Sequence, residues 1–260
     1  MNFAIEDKRF FITGVANKKS IAYFCAHSLI QQGAICDFAV QTEQQQDFVT
    51  KHFPQSRSYR LDVQKQTELA ALAENLKKDQ PLYHGFLHSI AYAEFEAVPF
   101  HQTSRENFLQ ATQISAFSLV EISNALLNYL AEESSIATVS ISTTKATSYG
   151  YMGPIKAMLE SIVDYLAKSL SEKKIRVNAV GAGPLKTSAS AGIPNYIENY
   201  LYSEKLTLRK KNLHTQEVAN TLCYLLSPLS SAHNASVLRL DAGMSCNYFD
   251  QELVSGFVNS

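Results

Sequence analysis

The chain has 260 residues, 46% of them hydrophobic, which suffices to bury the core of one α/β domain of ordinary size. Its 23 basic and 24 acidic side chains are scattered and leave a formal charge of −1, which argues against a nucleic-acid binder or a protein drawn to anionic membranes. The N-terminal M-N-F-A-I-E-D-K-R-F lacks the apolar centre of a signal peptide, and no apolar run is long enough to cross a bilayer. Cys25, Cys36, Cys223 and Cys246 have no paired spacing, so a cytoplasmic protein with reduced thiols and no metal site is expected.

Along the chain, short apolar runs at 9–13, 35–40, 58–61, 83–88, 137–141, 175–180 and 237–240 read as strands. Stretches of helical period lie between them at 20–32, 67–78, 108–130, 155–171 and 215–226. Regular alternation of this kind implies a single Rossmann-type domain over 1–260, a doubly wound parallel sheet of about seven strands with helices on both faces. The first strand runs into T-G-V-A-N-K-K-S-I-A, residues 13–22. A strand, a tight turn at Gly14 and a helix opening near Ser20 and Ile21 present backbone N–H groups to a pyrophosphate. The usual later glycines are replaced by Lys18 and Ser20, and Ser20 has a hydroxyl to donate to phosphate.

Gln41 ends the second strand, where an acidic residue would ordinarily hold the adenine ribose. No Lys or Arg follows until Lys51, so NADH is favoured over NADPH. Gln41–Gln46 reads as a solvated helix start. Asp62-Val63 ends the third strand, where the carboxylate serves either the adenine amino group or the N-cap of the next helix. Ser89, Ile90 and Ala91 follow the fourth strand at the carboxyl edge of the sheet, the expected binding crevice. Tyr149 and Lys156, seven apart, share a face if helical, and Pro154 suits a first helical turn that would leave Tyr149 just before the helix. A lysine ammonium near a phenol lowers the phenol's pKa and makes it a better proton donor. A-G-P-L-K-T at 182–187 closes the set, with Leu185 and Thr187 placed to meet nicotinamide amide and phosphate.

In this order the motifs resemble those of the short-chain dehydrogenase/reductase superfamily, and more closely those of bacterial NADH-dependent enoyl-acyl-carrier-protein reductases. The resemblance runs from Gly14 to the V-L-R-L-D-A-G-M-S segment ending at Ser245. Ordinary members of the superfamily use Y-x-x-x-K, but Met152 stands four before Lys156, which favours the enoyl-reductase branch. The resemblance implies hydride transfer to the β-carbon of a trans-2-enoyl thioester on acyl-carrier protein or coenzyme A. Tyr149 would stabilise the enolate oxygen and Lys156 would hold the nicotinamide ribose. Tyr92, Ala93, Tyr149 and Ala189 would meet substrate, and 188–209 would cover the acyl chain, the alternative for that stretch being two ordinary amphipathic helices. It also implies a homotetramer.

The family's second tyrosine is absent: T-V-S-I ends at Ile141, and the loop to Tyr149 is shorter. Ser142, Thr143 or Tyr151 could supply a hydroxyl, and Ala91 replaces a glycine beside the cofactor. Two alternatives follow from these departures: a reductase of the same fold acting on another enoyl or carbonyl compound, and a non-catalytic protein that binds NADH or oligomerises.

Overall fold

A computed structural model of the protein describes residues 3–96, 98–187, 189–193 and 195–258. Seven strands form one sheet in the order β3-β2-β1-β4-β5-β6-β7. They are β1 (Arg9–Thr13), β2 (Ile35–Val40), β3 (Ser58–Arg60), β4 (Tyr83–His88), β5 (Leu130–Ile141), β6 (Arg176–Ala182) and β7 (Ser236–Leu240). Every pairing is parallel. Central parallel strands are covered on both faces, so they read as unbroken apolar runs instead of alternating ones. In β1 all positions after Arg9 are buried, and in β6 all seven are.

The helices are α1 (Ile21–Ile30), α2 (Glu43–His52), α3 (Gln66–Asp79), α4 (Arg105–Thr112), α5 (Ser118–Leu126), α6 (Met152–Ser169), α7 (Tyr196–Leu206), α8 (Thr215–Leu226) and α9 (Gln251–Val258). Two cores result. One gathers Leu72 of α3, Leu119 of α5 and Leu159 of α6 against Phe86 and Val177. The other gathers Leu29 of α1, Val49 of α2 and Leu222 of α8 against Phe10, Phe38 and Val180.

Most expected elements are present within a residue or two of their ends. The helix expected over 108–130 is broken differently. It is α4, a π-helical turn (Gln113–Phe117), α5 and a 3-10 turn (Leu127–Tyr129), and Leu130 already begins β5 opposite Tyr83. Exposed Glu132 and Glu133, the latter at φ 63°, interrupt the apolar pattern that would have revealed this long strand. Among the described residues, the stretch 188–209 holds a 3-10 turn (Ala189–Gly192) and α7, one α-helix where two were considered.

The chain winds outward through β2 and β3, then returns to lay β4 on the other side of β1. That reversal opens a crevice above the carboxyl ends of β1 and β4, the place where open α/β sheets bind ligands.

Candidate active site

A cavity of about 920 Å³ occupies this crevice. Gly14, leaving β1, lines it at φ +88°. A Cβ at Gly14 would lie 1.9 Å from the Ser89 carbonyl oxygen, so only glycine lets the β1 and β4 ends approach this closely. The Thr13 hydroxyl fastens the same ends, donating to the Leu87 carbonyl at 3.0 Å. Ser20 plays a different part from the one expected. Its Oγ accepts from the N–H groups of Ala16 and Asn17, both at 3.0 Å, and donates to the Asn17 carbonyl at 2.8 Å. The hydroxyl proton is therefore spent on shaping the loop. As N-cap it forms no side-chain cap to α1, which leaves that helix's first amides, beside Ser20 and Ile21 in the cavity wall, open to an anion.

At the adenosine end, Gln41, Asp62 and Val63 all line the cavity. Asp62 is not a helix cap: α3 starts at Gln66 with Lys65 as N-cap. Asp62 Oδ1 instead accepts from the Gln64 amide at 3.1 Å, and Lys65 lies 3.5 Å from Oδ2. The expectation that no cation stands near Gln41 fails. Val40 pairs with Arg60 across the sheet, and Arg60 Nη2 donates to the Gln41 carbonyl at 2.7 Å. The cation comes from a neighbouring strand, so a scan along the sequence from Gln41 could not find it.

Ser89, Ile90, Ala91 and Tyr92 line the middle of the cavity. The π-helical turn holds this segment, with Ser115 Oγ accepting from the Tyr92 amide and donating to its carbonyl, each at 2.9 Å. The Tyr92 hydroxyl points to Glu94 Oε2 at 2.8 Å. Ala93 is not in the cavity wall and packs against the α3–α5–α6 core. Below lies His88, fully buried. Ser118 Oγ donates to the Ile114 carbonyl, so it must accept from His88 Nε2, and Nδ1 accepts from Thr138. Burial first, and the charge of Lys156 second, push His88 down to about 3, which keeps it neutral.

Tyr149 ends a 3-10 turn (Thr147–Tyr149), and Lys156 projects from the start of α6; both reach the cavity. The Tyr149 hydroxyl makes no hydrogen bond among the described residues, and its ring lies 6.0 Å from that of Phe95. Lys156 is 4% exposed and donates from Nζ to the Val139 carbonyl at 2.8 Å. Burial brings the ammonium down to about 8, against a smaller upward pull from Glu160. The Tyr149 phenol is pushed up to about 12, by burial and then by Tyr196. The lysine does not lower it as the sequence suggested: with Nζ turned to Val139, burial decides the balance. Ile141, Ser142 and Thr143 line the cavity near this pair. Tyr151 does not, since its hydroxyl bonds the Glu94 carbonyl and its ring stacks on Phe95.

Leu185 and Thr187 close the far wall, and Ser190 Oγ accepts from the Thr187 amide at 2.9 Å. The side chain of Ala189 lies outside the described residues. Tyr196 is a wall residue that the sequence had placed only within the covering stretch. Its hydroxyl donates to the Leu185 carbonyl at 2.6 Å and accepts from the Leu185 amide at 2.8 Å. Gln110, Ile114 and Met244 also line the cavity, and nothing in their local sequence signals it.

Residues 14–245 match the family model described as enoyl-(acyl carrier protein) reductase. The enoyl-[acyl-carrier-protein] reductase [NADPH] of Staphylococcus aureus is 36% identical over 248 residues, covering 92% of this chain and 97% of that one. The enoyl-[acyl-carrier-protein] reductase [NADH] of Escherichia coli K12 is 31% identical, covering 93% and 95%. Among solved structures, the NADH enzyme of Aquifex aeolicus superposes with a TM-score of 0.88 at 32% identity, covering 93% of this chain and 97% of that one. Both the match of motif to position and the similarity over nearly the whole length lead to one conclusion: the chain belongs to the enoyl-(acyl carrier protein) reductase family.

Proposed function

We propose that this protein reduces the trans-2 double bond of an enoyl thioester in fatty-acid synthesis, the acyl group being carried by acyl-carrier protein or coenzyme A. The observation that carries this reading is the Tyr149 phenol, unpaired among the described residues, in the same cavity as the Lys156 ammonium and the open N-terminus of α1. The site fits a nicotinamide dinucleotide on its own geometry. The Gly14 approach to Ser89 admits no side chain, and the amides opening α1 suit a pyrophosphate.

The dinucleotide, when bound, would supply the hydride that adds to the substrate β-carbon. As charge then develops on the thioester oxygen, the Tyr149 hydroxyl donates a hydrogen bond that strengthens with it. A phenol held near 12 is protonated at neutral pH and so arrives as a donor. Lys156 has three N–H donors and uses one on Val139, leaving two for ribose hydroxyls. Ile141 supplies no second phenol, so the oxyanion rests on Tyr149. Gly14, Ser20, Ile21, Gln41, Asp62, Val63, Ser89, Ile90, Ala91, Leu185 and Thr187 would contact the dinucleotide. Tyr92 would contact substrate, and 188–209 would cover the acyl chain. Neutral Gln41 and Gln45 support NADH at the adenosine end, and Arg60 bears on the same question below.

Four free cysteines, three of them buried, suit a reducing cytoplasm. Tyr165 on α6, 78% exposed, and the open edge of β7 suit packing against further copies in a homotetramer.

The test is loss of nicotinamide absorbance with crotonyl thioester. Tyr149→Phe should lower turnover by about 10²- to 10³-fold, as for an oxyanion-hole donor, with dinucleotide affinity kept. Wild-type turnover in the Tyr149→Phe variant would reject the assignment.

A further inference from the structure

We propose that Arg60 makes the adenosine end of this site accept the 2′-phosphate of NADPH. The inference rests on the dinucleotide-binding reading above and names the chemistry that one end of it takes. Family membership leaves the matter open, because relatives named for NADPH and for NADH both match this chain.

The position is set by the sheet. In Rossmann-type folds the group beside the ribose 2′ oxygen stands at the carboxyl end of the second strand, and an arginine there accommodates a 2′-phosphate. Here β2 ends at Val40, paired with Arg60 of β3, and Gln41 follows in the cavity wall. Arg60 is not itself in the cavity wall, but its guanidinium is anchored to this wall residue by a 2.7 Å bond to the Gln41 carbonyl. That bond uses one of five N–H donors. Arg60 is exposed and forms no ion pair among the described residues, so its charge is not neutralised there. The planar fork suits two oxygens of a phosphate.

Around it, the Gln41 and Thr42 amides are taken by Gln45 Oε1, and Thr42 Oγ1 caps the Gln45 amide. Those two amides therefore offer little to a phosphate, Thr42 keeps its hydroxyl proton to donate, and Glu43 opens α2 with an opposing carboxylate. The guanidinium is the group that tips the balance.

The experiment is calorimetric titration of the full-length protein with 2′,5′-ADP, 5′-AMP, NADPH and NADH, for wild type, Arg60→Gln and Arg60→Lys. In the wild type, 2′,5′-ADP should bind more tightly than 5′-AMP, with an affinity that falls steeply with salt. In Arg60→Gln the ratio of 2′,5′-ADP to 5′-AMP affinity should fall by about tenfold, as expected for one charge-assisted contact. Arg60→Lys should keep part of that ratio. Wild-type binding of NADH and 5′-AMP without NADPH or 2′,5′-ADP would overturn the proposal and leave the reductase reading standing. An equal loss for both nucleotides in Arg60→Gln would also overturn it, by making Arg60 a brace for the Gln41 turn. Failure to bind any dinucleotide would overturn both readings.

Discussion

Lys156 carries its ammonium almost wholly out of solvent, with the Val139 carbonyl as its hydrogen-bond partner and its pKa brought down to about 8 by burial. Unfolded, the same group titrates near 10.4. Below about 8 the lysine is charged in both states, and folding bears the full cost of burying it. As pH rises from about 8 toward 10, the native state sheds its proton first, and stability increases. Lys156→Met should therefore have a higher urea midpoint than wild type at pH 7, by up to about 3 kcal/mol of stability, with the gap narrowing as pH rises through that window. A gap that does not change with pH would locate its source elsewhere. Tyr149 shifts the opposite way: its phenol, held up to about 12, favours the native state below pH 10 and loses that contribution as pH rises from 10 to 12. The two groups thus leave the site with a cation that wants partners and a phenol that keeps its proton. Ribose hydroxyls and a developing oxyanion fit those needs.

At the scale of elements, two segments hold the site walls, a π-helical turn and α7. The π-helical turn between α4 and α5 brings Ser115 to both polar backbone groups of Tyr92, and Ser118, the first residue of α5, meets His88. Such single-turn insertions occur often at functional sites because they turn side chains out of the regular helical register. The other segment is α7, which the Tyr196 hydroxyl ties to Leu185 through two hydrogen bonds. Its C-terminal half is held by Asn212, which bonds Tyr200, Ser203 and Glu204, and by Asn247 on the Leu206 carbonyl, whereas its first turns have Tyr196 as their tie; only Ser203 is buried along the helix, and Ile197, Leu201 and Tyr202 are more than half exposed. A segment with so few buried contacts opens locally at low free-energy cost. Tyr196→Phe should speed amide hydrogen exchange in the first turns of α7 by about 30-fold, the equivalent of two lost hydrogen bonds of about 1 kcal/mol each, while exchange in β1, β4 and β5 stays as in wild type. Equal exchange in α7 would mean that other contacts hold the cover in place.

For the whole molecule, the cavity draws its wall from the ends of β1, β2, β4, β5 and β6 and from α7, so a ligand there touches segments far apart in sequence. A ligand that binds only this assembled state stabilises it by mass action, about 2.7 kcal/mol at a hundred times its dissociation constant. Thermal denaturation with saturating dinucleotide should therefore move to higher temperature, and addition of an enoyl thioester analogue should move it further. An unchanged midpoint at concentrations that saturate binding would contradict a site shared between these segments.

The sheet and the outline of its site were legible in the chain because both rest on local signals. Parallel strands covered on both faces need unbroken apolar runs, and Gly14, Asp62, Tyr149 and Lys156 each follow or precede such a run at a fixed offset. The tertiary structure alone decided the rest. Arg60 reaches Gln41 because β3 pairs with β2, and Tyr196 meets Leu185 because α7 folds back over the strand ends. Lys156 turns to Val139, and the Tyr149 phenol keeps its proton, because burial outweighs the attraction of one charge for another. Pairing across strands, and the desolvation that follows from packing, depend on which distant segments become neighbours, and no offset along the chain encodes that.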